Sequence, residues 1–206
     1  LSIGKITIYR NLLIEDTINT FALQTFTEQD IPLFKLYWDH WQPLAQVCTN
    51  AGNRVPNLAE YFTEGLVALV TGSARRVSKD YAKCIDPTVR FTPKGKKNGD
   101  NLRIQTLRAE EVKSSTIQYD CSQISPKDDN VDVIQFIHFY NDGNLDGTFD
   151  IYEFSPLLSK SLIVCKGKNE TTADQQDQGR RAKNGIMKDI IIPNNILPTH
   201  SKVKLW

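Results

Sequence analysis

Apolar residues recur along the chain with two different periods, and the change between them divides it. Residues 1 to about 55 read as mainly helical. In "LFKLYWDHWQPLAQVC", Leu33, Leu36, Tyr37, Trp41 and Leu44 fall on one side of a 3.6-residue repeat, and Pro43 should kink or restart that helix. In "NRVPNLAEYFTEGLVALVTG", Leu58, Phe62, Leu66, Leu69 and Val70 share a face. Asn57 can cap this helix, Glu60 follows three residues on, and Gly72 ends it. Glu60 and Glu64 are four apart and so lie on one side.

Beyond Gly72 the texture becomes that of strands. "CIDPTVRFTPKGKKNGDNLRIQTLRAEEVKSSTIQY" combines β-branched residues with a basic turn from Pro93 to Asn101, which predicts a hairpin. "VDVIQFIHFY", "FDIYEF" and "LIVCK" predict three further strands. In the first of these, Val131, Val133, Gln135, Ile137 and Phe139 share a face that only Gln135 interrupts. A helix is expected in "TTADQQDQGRRAKNGIM". No internal repeat or low-complexity tract is present. The expectation is a single α/β domain over residues 1–206, with a mixed, largely antiparallel central sheet flanked by helices.

Composition narrows the function classes only by exclusion. The 206 residues are 40% hydrophobic and 24% charged, and carry a net charge of +1. No global field draws such a chain to nucleic acid or membrane, so a polyanion site must be a local patch. Apolar runs fall far short of a membrane span, and "LSIGKITIYRNLLIEDTI" lacks the apolar core of a signal peptide. Cys48, Cys84, Cys121 and Cys165 are scattered, without a CxxC pair. Reduced thiols and a cytoplasmic location are the expectation, rather than a zinc site or a disulfide framework. The sequon at Asn169 carries no weight without a secretory signal.

"DGNLDGTFDIYEF" fits a calcium-loop template at Asp142, Asn144, Asp146, Gly147, Thr148, Asp150 and Glu153. Such a loop needs a helix on each side. Its flanks here are β-branched and aromatic, and Pro156 heads the outgoing segment. The same residues suit an acidic hairpin turn, so a strand is expected over Val131–Tyr140.

Asp86, Glu111 and Lys113 offer a different chemistry. Glu111 and Lys113 are two apart on a strand and project to the same face, while Asp86 heads the hairpin. Two carboxylates can hold a hydrated Mg2+, which polarises a phosphodiester and lowers the pKa of bound water. A lysine beside them can orient that water and stabilise charge on phosphorus. The spacing alone is common in surface hairpins. Two segments add to it. Glu64 lies on the preceding helix, which can pack beside the motif. "TTADQQDQGRRAK" brings Gln175, Gln176, Gln178, Arg180 and Arg181, side chains suited to base edges and phosphates, around Gly179.

The collinear order of "NLAEYFTEGLV", "IDP", "EVKSST", "DCSQISP", "FDIYEF" and "DQQDQGRR" resembles type II restriction endonucleases of the PD-(D/E)xK superfamily. It is most similar to those cutting short GC-rich interrupted palindromes, and the likeness runs from Leu33 to Pro198. The resemblance implies a restriction-endonuclease-like fold and Mg2+-dependent cleavage of double-stranded DNA, leaving 5′-phosphate and 3′-hydroxyl ends. It implies Asp86 and Glu111 as metal ligands, Lys113 as the catalytic lysine and Glu64 as a support for the metal or its water. Ser114, Ser115 and Thr116 are expected to face the DNA, with Gln175, Gln176, Gln178, Arg180 and Arg181 as further contacts. A homodimer, a cognate DNA methyltransferase and a bacterial or archaeal cytoplasm complete the expectation. Three features depart from the family pattern. The loop "TPKGKKNGDN" is long, Gln105 offers a rival register that would put Leu107 at the lysine position, and the acidic turn looks inserted. The competing readings are a calcium-binding interaction protein and a DNA-binding module that does not cleave.

Overall fold

The computed structural model describes residues 6–9, 21–77, 101–103, 108–118, 120, 122–124, 131–140, 144–165 and 168–206. Asp86, Lys94, Lys96, Lys97, Gln105, Asp142 and Gly143 lie outside them.

An eight-stranded mixed sheet organises the chain. In spatial order it consists of β1 (Ile6–Tyr9), β2 (Phe21–Gln24), β3 (Ala74–Val77), β4 (Asn101–Arg103), β5 (Arg108–Ser115), β7 (Val133–His138), β8 (Phe149–Phe154) and β12 (His200–Val203). β5 and β7 run parallel, with Glu111 opposite Ile134 and Lys113 opposite Phe136. The other neighbours in this sheet are antiparallel. β7 lies between β5 and β8 and is buried along its whole length, as its nearly continuous apolar sequence requires. The mixed, largely antiparallel α/β sheet flanked by helices matches the expected fold class.

Two short pairs sit beside this sheet. β6 (Ser122–Ile124) pairs with β11 (Ala182–Asn184), and β9 (Ile163–Cys165) with β10 (Glu170–Thr171). Because β5 and β7 are parallel, the chain must cross over between them. β6 lies on that crossover.

The helices are α1 (Ile31–Asn50), α2 (Glu60–Thr71), α3 (Leu157–Lys160) and α4 (Thr172–Asp177), with a π-helical turn at Ile186–Ile191. A reciprocal cap precedes α1: Thr27 N donates to Asp30 Oδ2 at 2.8 Å. α1 runs through Pro43 as one element, rather than restarting there. Its buried face is Phe34, Trp38, Trp41 and Ala45, while Leu36 and Leu44 are about half exposed. Of the expected face, Trp41 is buried and Tyr37 stacks on Phe62 at 4.5 Å, whereas Leu36 and Leu44 turn outward and Phe34 and Trp38 take the core. Trp38 stacks on Phe139, with ring centroids 5.1 Å apart, and lies near Phe62 of α2 at 6.1 Å.

α2 begins after Ala59 rather than Asn57, and Ala59 N donates to the Tyr37 hydroxyl at 2.8 Å. Gly72 ends it with φ of +70°, as expected of a left-handed stop. Phe62 to Ala68 are all buried, so α2 has no single apolar face. Gly65 lets it approach α1: a Cβ there would stand 2.8 Å from the Phe34 ring.

Two expectations fail in detail. Ile6–Tyr9 and Phe21–Gln24 are strands within the region read as helical. β1 is β-branched and aromatic, which suits a strand; β2, Phe-Ala-Leu-Gln, is held as a strand by its pairing with β1 and β3 on either side. The expected helix over Thr171–Met187 is also broken into α4, β11 and the start of the π-helical turn. Gly179, at φ of +72°, turns the chain out of α4.

Side chains divide between the two faces of the sheet by alternation. Val112, Ile137, Phe139, Phe149 and Ile151 pack against α1 and α2. Ile134, Phe136, Tyr152 and Phe154 pack on the other side with Ile124 and the π-helical turn.

Candidate active site

Strand β5 separates two charged constellations. Val112 points toward α2, so the neighbouring Glu111 and Lys113 project from the opposite face. Lys113 Nζ donates to Glu111 Oε1 at 2.7 Å, and each side chain keeps 16% of its surface exposed. The pair is thus sheltered yet reachable from outside. The expected juxtaposition of Glu111 and Lys113 is present. Asp86 lies outside the described residues.

Glu64 is elsewhere. Its Oε2 accepts from Arg75 Nε at 2.5 Å, and its backbone carbonyl accepts from Asn101 Nδ2 at 3.0 Å. Arg75 pairs with Asn101 and Asn101 with Glu110, so these three share the α2 face of the sheet. Through these contacts Glu64 braces β3 and β4 from the α2 side of the sheet. On the same face, Arg108 grips Glu153 through two parallel contacts of 2.5 and 2.8 Å, and it reaches the fully buried Glu110 at 2.9 Å. Gln135, the expected break in an apolar face, donates to Glu153 at 2.9 Å. Pattern reading missed this cluster. Its only signal was one polar residue in an otherwise apolar strand.

The calcium-template segment is resolved by the same alternation. Its incoming flank is β7 and its outgoing end is β8, so the helix-loop-helix context is absent. Glu153 faces Arg108, whereas Asp150 is out of phase with it and its Oδ1 accepts from Lys202 N at 2.6 Å. Asp146 Oδ1 accepts from Thr148 N at 2.9 Å, as in a turn. Among the described residues, the carboxylates of Asp146, Asp150 and Glu153 are not gathered into a metal-holding group. Gly147 serves packing, since a Cβ there would lie 2.7 Å from the Trp206 indole.

Past Lys113 the chain turns tightly. Ser115 is buried, and its Oγ accepts from Ile117 N at 3.2 Å, so it is occupied in the turn rather than turned outward. Ser114 and Thr116 are partly exposed. His138 Nε2 meets the Ile117 carbonyl at 2.8 Å. Burial pushes the His138 pKa down, outweighing the opposing pull of that carbonyl and of Asp120 and Asp150.

The Gln/Arg segment forms a compact tip. Thr171 Oγ1 accepts from Asp174 N at 3.2 Å, and Thr171 N donates to Asp174 Oδ2 at 2.7 Å, closing a capping box at α4. Gln176 is buried with its Oε1 accepting from Lys160 Nζ at 2.8 Å, so it supports the tip from within. Gln175 is half-buried and bonded to Glu170. Gln178, Arg180, Arg181 and Lys183 are exposed. The five residues expected to contact DNA thus separate into two supports and three outward side chains.

Among the described residues, no group of three or more His, Cys, Asp or Glu residues is placed to hold a metal ion. No described helix is long and apolar enough to cross a membrane. Comparison with curated proteins finds no match, and neither does comparison with solved structures. A family model does match: that of the Bsp6I restriction endonuclease, over residues 25–193. This span runs from the lead-in to α1 through the π-helical turn, and includes both the Glu111–Lys113 pair and the exposed tip. The chain belongs to the Bsp6I restriction endonuclease family, a family of type II DNA-cleaving enzymes.

Proposed function

We propose that the chain hydrolyses phosphodiester bonds at a specific site in double-stranded DNA, with Mg2+, through Glu111 and Lys113. The supporting observation is their pairing at 2.7 Å on one face of a central strand, sheltered but open to solvent. A carboxylate oxygen suits Mg2+, a hard cation that takes one or two protein carboxylates and keeps several waters. Glu111 is one ligand in this reading. Asp86 is the second by resemblance. Bound there, Mg2+ supplies charge neutralisation at the phosphate and a more acidic water.

The chain's own groups do the rest. The Lys113 ammonium moves from its bond with Glu111 to the scissile phosphate, where it stabilises developing negative charge and orients the attacking water. Glu64 holds β3 and β4 beside β5 through Arg75 and Asn101, and by resemblance supports the metal or its water. Gln178, Arg180 and Arg181 read base edges and phosphates, with Gln175 and Gln176 stiffening them from below. Thr116 contacts the backbone near the cut and Ser115 shapes that turn, while Ser114, in phase with Val112, projects to the other face of β5. Products carry 5′-phosphate and 3′-hydroxyl ends. A GC-rich interrupted palindrome is best met by a two-fold homodimer. The enzyme works in a bacterial or archaeal cytoplasm beside a cognate methyltransferase that protects the host site.

Lys113→Ala should lower the cleavage rate by at least about a hundredfold. Binding of an oligonucleotide carrying the site should stay within about threefold. A wild-type cleavage rate would remove Lys113 from the mechanism and leave a binding module. Asp86→Ala should lose cleavage in the same assay. Full activity in that variant would refute the two-carboxylate site.

A further inference from the structure

The exposed tip and the Glu111–Lys113 strand are far apart in sequence, yet a short path of chain joins them. β5 ends at Ser115, and Asp120 and β6 follow. β6 pairs with β11, with Ile124 opposite Ala182 and Ser122 opposite Asn184. β11 begins at the residue after Arg181.

Asp120 fastens this path. It is buried, with 8% of its surface exposed. Its Oδ2 accepts from the backbone N of Ser122 at 3.2 Å and from the Ser122 hydroxyl. Its Oδ1 accepts from Met187 N at 3.0 Å, just beyond β11. One carboxylate thus ties the entry of β6 to the exit of β11. Gly185 permits the closeness: a Cβ there would stand 3.2 Å from the Asp120 carbonyl and 3.1 Å from Asp189 Oδ2. At the other end, Phe139 N donates to the Ser115 carbonyl at 2.8 Å, and Ser115 and His138 hold the turn at Ile117. Among the described residues, every hydrogen-bond donor to Asp120 is neutral. Burying a carboxylate against neutral donors is costly, but it yields stronger, stiffer bonds than a neutral side chain could make.

We infer that Asp120 is a positioning residue that couples DNA engagement at the Gln178–Arg181 tip to the placement of Lys113. The inference rests on the proposed nuclease function. When the tip seats on its proper bases, β11, Asp120 and the turn after β5 hold Lys113 in line with the phosphate. On a wrong site the tip sits differently, and the same connection carries the misfit to Lys113. Specificity then appears in the cleavage step rather than in binding.

Asp120→Asn keeps the shape and an acceptor for Met187 N, so the fold should survive. Its single-turnover cleavage rate at the cognate site should fall about tenfold or more, the scale of a small misplacement of reacting groups. Its DNA affinity, measured without divalent metal, should stay within about threefold. The ratio of cleavage rates on cognate and one-base-altered sites should fall with the cognate rate. An unchanged rate, a parallel loss of rate and affinity, or an equal loss on both sites would overturn the coupling. Hydrogen exchange without DNA gives a second readout. In Asp120→Asn, protection should drop together in Ser122–Ile124, Ala182–Asn184 and Lys113–Ser115, and not in Phe149–Phe154. A drop confined to Ser122–Ile124 would also overturn it. If the wild-type chain cuts no DNA, the nuclease function fails and the coupling with it, while exchange still decides whether Asp120 links β6, β11 and the end of β5.

Discussion

Arg108 holds two carboxylates on the face of β5 opposite Lys113, and one of them, Glu110, is fully buried. Truncating a partner in a buried ion pair leaves an uncompensated charge. Arg108→Ala should therefore destabilise the fold by about 3 kcal/mol, read from urea midpoints at neutral pH. A change under about 0.5 kcal/mol would mean the cluster is merely a surface pairing. His138 makes a pH prediction. Its folded pKa is depressed by burial, so the folded chain keeps it neutral where the unfolded chain takes up a proton. Its contribution to stability is present above about pH 6.5, the unfolded value, and is lost as pH falls below it. His138→Gln retains a hydrogen-bond donor but cannot titrate, so its midpoint should vary less with pH in that window. An identical slope in the variant would assign the pH dependence to other groups. The Glu111–Lys113 pair was legible in sequence, because alternation on a strand needs no tertiary information. The roles of Arg108 and Glu64 were not. Each depends on a cross-strand register or a helix docking that joins residues distant in sequence.

Helix α1 shows what periodicity leaves open at the scale of an element. The apolar residues of "LFKLYWDHWQPLAQVC" support two faces, and only the partner decides between them. Phe62, Phe139 and Trp38 stack within one cluster, and that contact turns Phe34, Trp38 and Trp41 inward. Trp38→Ala should cost about 3 to 5 kcal/mol, whereas Leu36→Ala should stay within about 0.5 kcal/mol. Equal losses in thermal or urea unfolding would place the buried face where the simple repeat put it. Gly65→Ala should also destabilise α2, because the added methyl meets the Phe34 ring at 2.8 Å. Strands β7 and β8 were readable because their residues are largely β-branched and aromatic, whereas β5 has only Val112 of that kind. β1, β2 and β11 were not, since segments of three or four residues carry too little pattern to outweigh their surroundings.

Across the whole molecule, the sheet presents Glu111 and Lys113 on the side where Ile124 and the π-helical turn also pack, while α1 and α2 cover the other. The near-zero net charge leaves DNA attraction to local patches such as Arg180, Arg181 and Lys183. If these cations meet phosphates as proposed, Arg180→Ala with Arg181→Ala should weaken DNA binding and flatten its dependence on salt. An unchanged salt slope would move the DNA interface elsewhere. The most direct test of the central claim is cleavage itself. The purified wild-type chain is incubated with unmodified phage DNA, with Mg2+ in one sample and EDTA in another, and both are run on a gel. Discrete fragments with Mg2+ and intact DNA with EDTA are the expected result. Intact DNA in both lanes, or equal fragmentation in both, would contradict a Mg2+-dependent site-specific endonuclease built on Glu111 and Lys113.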